Sequence, residues 1–184
     1  MDIDETITQL AAKMDAWADT NLDAYSSMGQ SERVKAHRTV LEIIIDLERI
    51  KVEGVTAIKT VLDNAAAAPN EQTTSLVRCF EFAAKIRNTL SDEWLDTDGV
   101  NQLVDLMDAI VSQLDSASSG RASLIPLLDH ADPGIRASAG AYLINLMPDR
   151  VLPILQKVEE TERANSAHFT AHWAIVGWER EGKS

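Results

Sequence analysis

Apolar positions recur at intervals of three and four along most of the chain. Ile3, Ile7, Leu10, Met14 and Trp17 step in this way through residues 2–19, a spacing that puts side chains on one face and predicts an amphipathic helix. The run NLDAYSSMGQ, residues 21–30, breaks the pattern. Ser31 then stands as an N-cap for a helix running to about Val52. Within it Val40, Leu41, Ile43, Ile44, Ile45 and Leu47 are too many for one narrow stripe and predict burial on most of the circumference. The triple Ile43-Ile44-Ile45 also fits a strand, but the flanks RVKAHR and DLERIK carry helix formers and no turn residues. Gly54 is expected to end or interrupt this helix, with Ala57, Ile58, Val61 and Leu62 marking a short one after it.

Two further stripes follow. Leu76, Val77, Phe80, Ala83, Ala84 and Ile86 predict a helix at about residues 71–90, and Leu103, Met107, Ile110 and Leu114 another at 100–115. Between them SDEWLDTDG, residues 91–99, reads as a polar loop, and SASSG, residues 116–120, as a flexible joint. Beyond the joint, Asp132 before Pro133 and Met147-Pro148-Asp149 are stop-and-start signals that cut the remaining chain into helices of two to four turns. Pro126 and Pro153 lie inside their blocks, where the first turn can hold them or the helix must kink. The expectation is all-α, with eight or nine helices and no sheet. Residues 1–184 read as a single helical-repeat domain, with possible halves 1–115 and 121–184 joined by 116–120.

GVTAIKTVLD, residues 54–63, aligns without a gap to GRASLIPLLD, residues 120–129, a shift of 66 that also lays Leu41, Ile44 and Ile45 on Met107, Ile110 and Val111. A duplication explains this, and so does shared helical composition. The segment LIPLLDHADPGIRASAGAYLINL resembles the HEAT-type helical repeat: a leucine-rich helix, Asp-Pro, then an aliphatic-Arg step opening an alanine-rich helix. Leu124, Leu127, Leu128, Asp132, Pro133, Ile135, Arg136 and Ala139 carry that resemblance. Ala137, Ala139, Gly140 and Ala141 are small enough for a second helix to approach closely, and Asp132 and Arg136 are placed to bridge neighbouring turns or repeats. PDRVLPILQKV followed by HFTAHWAIVGW looks like a second, degenerate copy. LLDHADPGIR and Trp178 are also similar to small bacterial HEAT-like domains of unknown function, over residues 121–181. The resemblance implies a HEAT-like α-solenoid or irregular α-α superhelix and a role in binding other proteins.

Composition narrows the function classes. The 17 basic and 29 acidic residues leave a net charge of −12, which repels phosphate backbones and argues against a nucleic-acid partner. One cysteine, Cys79, makes no internal disulfide and fits a reducing cytoplasm. The acidic start MDIDETITQL is unlike a secretory signal, and no apolar run is long enough to cross a membrane.

Candidate chemistry is sparse. His168 and His172 lie four apart on a predicted helix, the spacing of two metal ligands on one face, but Phe169 stands where the zinc-protease motif has Glu, and only Glu179 offers a third ligand. DTDG, residues 96–99, imitates part of a calcium loop, yet Trp94 occupies the position of the first carboxylate. Cys79 has apolar neighbours, which suit a core residue better than a nucleophile. No Gly-x-Ser-x-Gly elbow and no Gly-rich phosphate loop occurs. Neither a cofactor nor a catalytic role is therefore expected.

The acidic stretch is the remaining lead. Asp92, Glu93, Asp96, Asp98, Asp105 and Asp108, with Trp94 among them, offer carboxylates around an aromatic anchor to a basic protein. The expected function is protein binding, most concretely that of an immunity or antitoxin-like protein whose acidic face occludes a basic toxin. The alternatives are a generic scaffold or regulatory adaptor and, from another class, a metal protein or enzyme using His168 and His172.

Overall fold

Asp132 shows how local chemistry sets an element boundary. Its backbone is extended, and its carboxylate accepts hydrogen bonds from the amides of Gly134 (2.7 Å) and Ile135 (3.3 Å), donors that a helix start leaves without intrahelical partners. Pro133 opens the helix that follows, where a missing N–H costs nothing. The computed structural model describes residues 37–94, 97–163 and 165–181, with the side chains of 37–47 and 93–94 excepted. Among the described residues the order is α1 (His37–Ala67), α2 (Thr73–Thr89), a π turn (Leu90–Trp94), α3 (Thr97–Ser116), a 3-10 helix (Gly120–Asp129), α4 (Pro133–Leu143), α5 (Pro148–Thr161) and α6 (Ser166–Glu181). These residues are all-α and contain no strand. The expected helix at 2–19, the break at 21–30, the Ser31 cap and the stripe Val40 to Leu47 lie outside the described residues or side chains.

The chain divides into two compact units after Thr60, within α1. In the first unit Ile50, Val55 and Ile58 are buried, and the hydroxyls of Thr56 and Thr60 donate to the carbonyls of Val52 (2.8 Å) and Thr56 (2.9 Å). The helix passes through Gly54 without a break, contrary to expectation. A glycine inside a helix costs about 1 kcal/mol against alanine, too little to end one whose adjoining turns bury Val55 and Ile58. The separate helices expected before and after Gly54 are one element.

In the second unit α2 packs on α3, the 3-10 helix on α4, and α5 on α6; α4 also touches α2, α5 and α6. Leu76, Phe80 and Ile86 from α2, Leu103, Ile110 and Leu114 from α3, and Leu124 from the 3-10 helix are fully buried. Burial of each large apolar side chain contributes about 1.5–3 kcal/mol before entropy is counted. Those of α2 and α3 belong to the predicted stripes, of which Val77 alone is half-buried. Gly140 sets the spacing of α4 and α5, since a Cβ there would lie 2.7 Å from Leu155 Cδ2 and 3.1 Å from Leu155 Cγ.

Local geometry differs from expectation in three places. Residues 91–99 are not one loop, because the π turn carries the chain on to Trp94 and α3 starts at Thr97. Residues 120–129 form a 3-10 helix, opened by Gly120 at φ 57° and containing Pro126, whose missing N–H and rigid ring disfavour continuous α hydrogen bonding. Residues 116–120 lie inside the second unit, where Asn70 Oδ1 accepts from the Ser118 amide (2.8 Å) and Asp115 pairs with Arg121.

Candidate functional site

α3 carries Asp98, Asp105 and Asp108, all exposed. Asp98 and Asp105 are two turns apart and share a face; Asp98 also sits in the first turn, where a negative charge complements the helix dipole. Asp108 is engaged within the fold. Its Oδ1 accepts from the Tyr142 hydroxyl at 2.6 Å, tying α3 to α4, while the Tyr142 ring meets Phe80 edge-on at 5.4 Å. Burial, followed by the hydrogen bond to Asp108 and that carboxylate's charge, holds the Tyr142 phenol well above its ordinary pKa against the pull of Arg87.

Asp92 is engaged too. Projecting from the π turn, it accepts from the Ser166 amide (2.6 Å) and the Ser166 hydroxyl (2.8 Å), at the first residue of α6. Of the seven residues expected to form a partner-binding face, Asp98 and Asp105 therefore stand together on one helix, and Asp92 and Asp108 hold other elements. Asp96 and the side chains of Glu93 and Trp94 lie outside the described residues.

Beside Asp92 is a polar junction that the hydrophobic pattern does not reveal. Arg87 Nη2 donates to Asn88 Oδ1 (2.8 Å) and Thr170 Oγ1 (2.7 Å), joining α2 to α6. Burial lowers the Arg87 pKa, and the charges of Tyr142 and Asp92 oppose that shift. Asn88 Nδ2 is buried with no partner among the described residues, packed so close to Gly134 that a Cβ there would lie 1.9 Å away. The one signal in the chain is the polar pair Arg87-Asn88 interrupting an apolar helix end.

His168 and His172 both turn toward α5. His168 Nδ1 donates to the Glu159 carbonyl (2.9 Å), His172 Nδ1 meets Glu159 Oε1 (2.7 Å), and the rings lie parallel with centroids 6.3 Å apart. Glu179 is exposed on the same helix. Among the described residues no group of three or more His, Cys, Asp or Glu side chains is placed to hold a metal ion. In the calcium-like motif, Asp98 and Gly99 belong to the first turn of α3, with Gly99 buried. Cys79 is fully buried on α2. Phe169 and Trp173 are 53% and 60% exposed, one turn apart on α6, whereas Trp178 is half-buried.

Among the described residues the Arg136 side chain bonds to neither Asp132 nor another helix, contrary to the expected bridge. Its Nη1 donates to the carbonyls of His130 and Ala131, both at 2.7 Å, while Asp132 caps α4. Arg136 thereby fixes the linker before its own helix. This linker and one side of α5 enclose a recess of about 610 Å³. In comparisons with known protein families, curated proteins and solved structures, no match to this chain is found.

Proposed function

We propose that the chain is a protein-binding helical module whose acidic face receives a basic partner, in the manner of an immunity or antitoxin-like protein that occludes a toxin. The observation that carries this reading is the exposed pair Asp98 and Asp105 on α3 in a chain of net charge −12. Carboxylates on a well-packed helix are held in position, so they attract a basic surface without the cost of ordering a loop. A reducing, cytoplasmic setting belongs to the same proposal and rests on the single, buried Cys79.

The scaffold is proposed to be an irregular HEAT-like stack. Support comes from successive helix pairs, α2 with α3, the 3-10 helix with α4, and α5 with α6, each packed against the next. The Asp132-Pro133 cap and the close approach at Gly140 add to it. The Asp92–Ser166 and Arg87–Thr170 bonds join the first pair to the third, which a strictly one-dimensional stack does not do, and they are the reason for the word irregular.

A generic scaffold or adaptor is the competing reading, favoured by the exposed Phe169 and Trp173. The test is retention of binding partners from cell lysate at low and high salt by the native chain and by an Asp98→Asn/Asp105→Asn variant. A basic protein lost at high salt and lost in the variant supports the acidic face. Partners retained equally in both conditions and by both proteins overturn it in favour of the scaffold.

A further inference from the structure

The recess beside the Arg136 linker has the opposite electrostatic character to the acidic face. Leu128 and Val158 are buried in its lining, with the half-buried Ile154 beside them. Four ionisable side chains also line it: Asp129, His130, Arg136 and Lys157. Asp129 is paired with Arg150 at 3.1 Å. His130 is engaged at both ring nitrogens, Nδ1 accepting from the Asp132 amide (3.0 Å) and Nε2 lying 3.4 Å from Glu81 Oε1. The nearby Asp132 carboxylate accepts from the helix amides.

The two cations are differently placed. Arg136 uses Nη1 for the two linker carbonyls, which pins the guanidinium and leaves Nη2 and Nε unbonded among the described residues. Lys157 is exposed on α5, and its Nζ has no bond or ion pair among them. A chain of net charge −12 thus contains a recess in which Asp129 and His130 are engaged elsewhere, the uncommitted charges of Arg136 and Lys157 are both positive, and the remaining lining residues are apolar.

We propose that this recess docks an acidic peptide segment of a partner protein, one in which carboxylates alternate with aliphatic side chains. One carboxylate would meet the remaining donors of Arg136, whose planar fork suits such a group, and a second would meet Lys157. An aliphatic side chain between them covers the accessible apolar surface of Pro153 and Ile154. Charge complementarity selects this occupant: the net acidic surface repels the segment in general, while the recess offers it two cations, Arg136 and Lys157, on one apolar-lined depression. The volume of about 610 Å³ falls within the range of about 300–1,000 Å³ common to ligand sites. This docking is independent of the acidic-face reading, since a basic partner has no counterpart for Arg136 and Lys157.

The test is an NMR titration of the full ¹⁵N-labelled chain with a blocked pentapeptide alternating acidic residues and leucines. Two comparison peptides replace the acids by their amides, or the leucines by serines. The expected result is shifts centred on the amides of Ala131, Ile154 and Lys157, with affinity about tenfold weaker for each comparison peptide and for Lys157→Glu. Lys157 is exposed, so that variant keeps the fold even if Arg136→Gln, which frees two linker carbonyls, does not. Shifts elsewhere, no binding, or equal affinity for the amide peptide or for Lys157→Glu would overturn the proposal. Line broadening at the same amides without peptide, rising with protein concentration and abolished by Lys157→Glu, would replace the peptide by a second copy of the chain.

Discussion

Asp92 and Ser166, 74 residues apart, are joined by two hydrogen bonds: the Asp92 carboxylate accepts both the backbone amide and the hydroxyl of the first residue of α6. A side chain from the end of the α2 segment therefore performs the task that an N-cap residue ordinarily performs from the preceding position.

Replacing that carboxylate should be costly. Asp92→Ala is expected to lower unfolding free energy by about 1–2 kcal/mol, because two donors at a helix start lose their acceptor and the nearby Arg87 loses an opposing charge. Asp105→Asn, exposed on α3, should stay within about 0.5 kcal/mol of the native chain. Urea unfolding of both variants distinguishes the engaged carboxylate from the presented one.

At Gly140 two effects oppose each other. Alanine improves helix propensity by about 1 kcal/mol, but its Cβ would stand 2.7 Å from Leu155 Cδ2, and overpacking typically costs about 1–3 kcal/mol. Gly140→Ala should therefore be destabilising, and Gly140→Ala/Leu155→Val less so than the sum of the single changes. Thermal unfolding of the double-mutant cycle measures the coupling.

Tyr142 links stability to alkaline pH. Its folded pKa lies above the ordinary value of about 10, so its contribution is fully present below pH of about 10 and is lost as pH rises toward the folded value. Absorbance at 295 nm should show a phenol titrating late, absent in Tyr142→Phe. That variant keeps the ring against Phe80 but loses the bond to Asp108, at a cost of about 1 kcal/mol near neutral pH.

The acid limb has a smaller contributor. The hydrogen bond from Arg121 is the main cause holding the Asp115 carboxyl below its ordinary value, so the stabilisation is present above about pH 4 and disappears as pH falls through the lower folded value. Both side chains are more than a third exposed, which limits the effect to under about 1 kcal/mol. Asp115→Asn should flatten the decline of melting temperature below pH 4 by that small amount.

The elements were legible where a local signal decided them. The stripes Leu76 to Ile86 and Leu103 to Leu114 named buried residues correctly except Val77, which is half-buried, because a side chain's face on a helix follows from its position alone. Asp132 and Pro133 announced a helix start for the same reason, since both act within one turn. Gly54 misled because its unfavourable propensity is weaker than the burial on either side. The acidic stretch was legible as charge only. Whether a carboxylate faces a partner or an amide across the fold depends on which helix lies opposite, and residue spacing carries no such information.

The sequence by itself determined the helical class, the faces to be buried and the positions of several helix starts, because propensity, periodicity and capping act over a few residues. The tertiary structure alone decided that Asp92 holds Ser166, that Asp108 holds Tyr142, that Arg87 reaches Thr170 and that Arg136 anchors a linker beside Lys157. Apart from the Arg136 anchor, these contacts bring together groups more than thirty residues apart. They form only once the apolar faces have packed and fixed which polar ends meet.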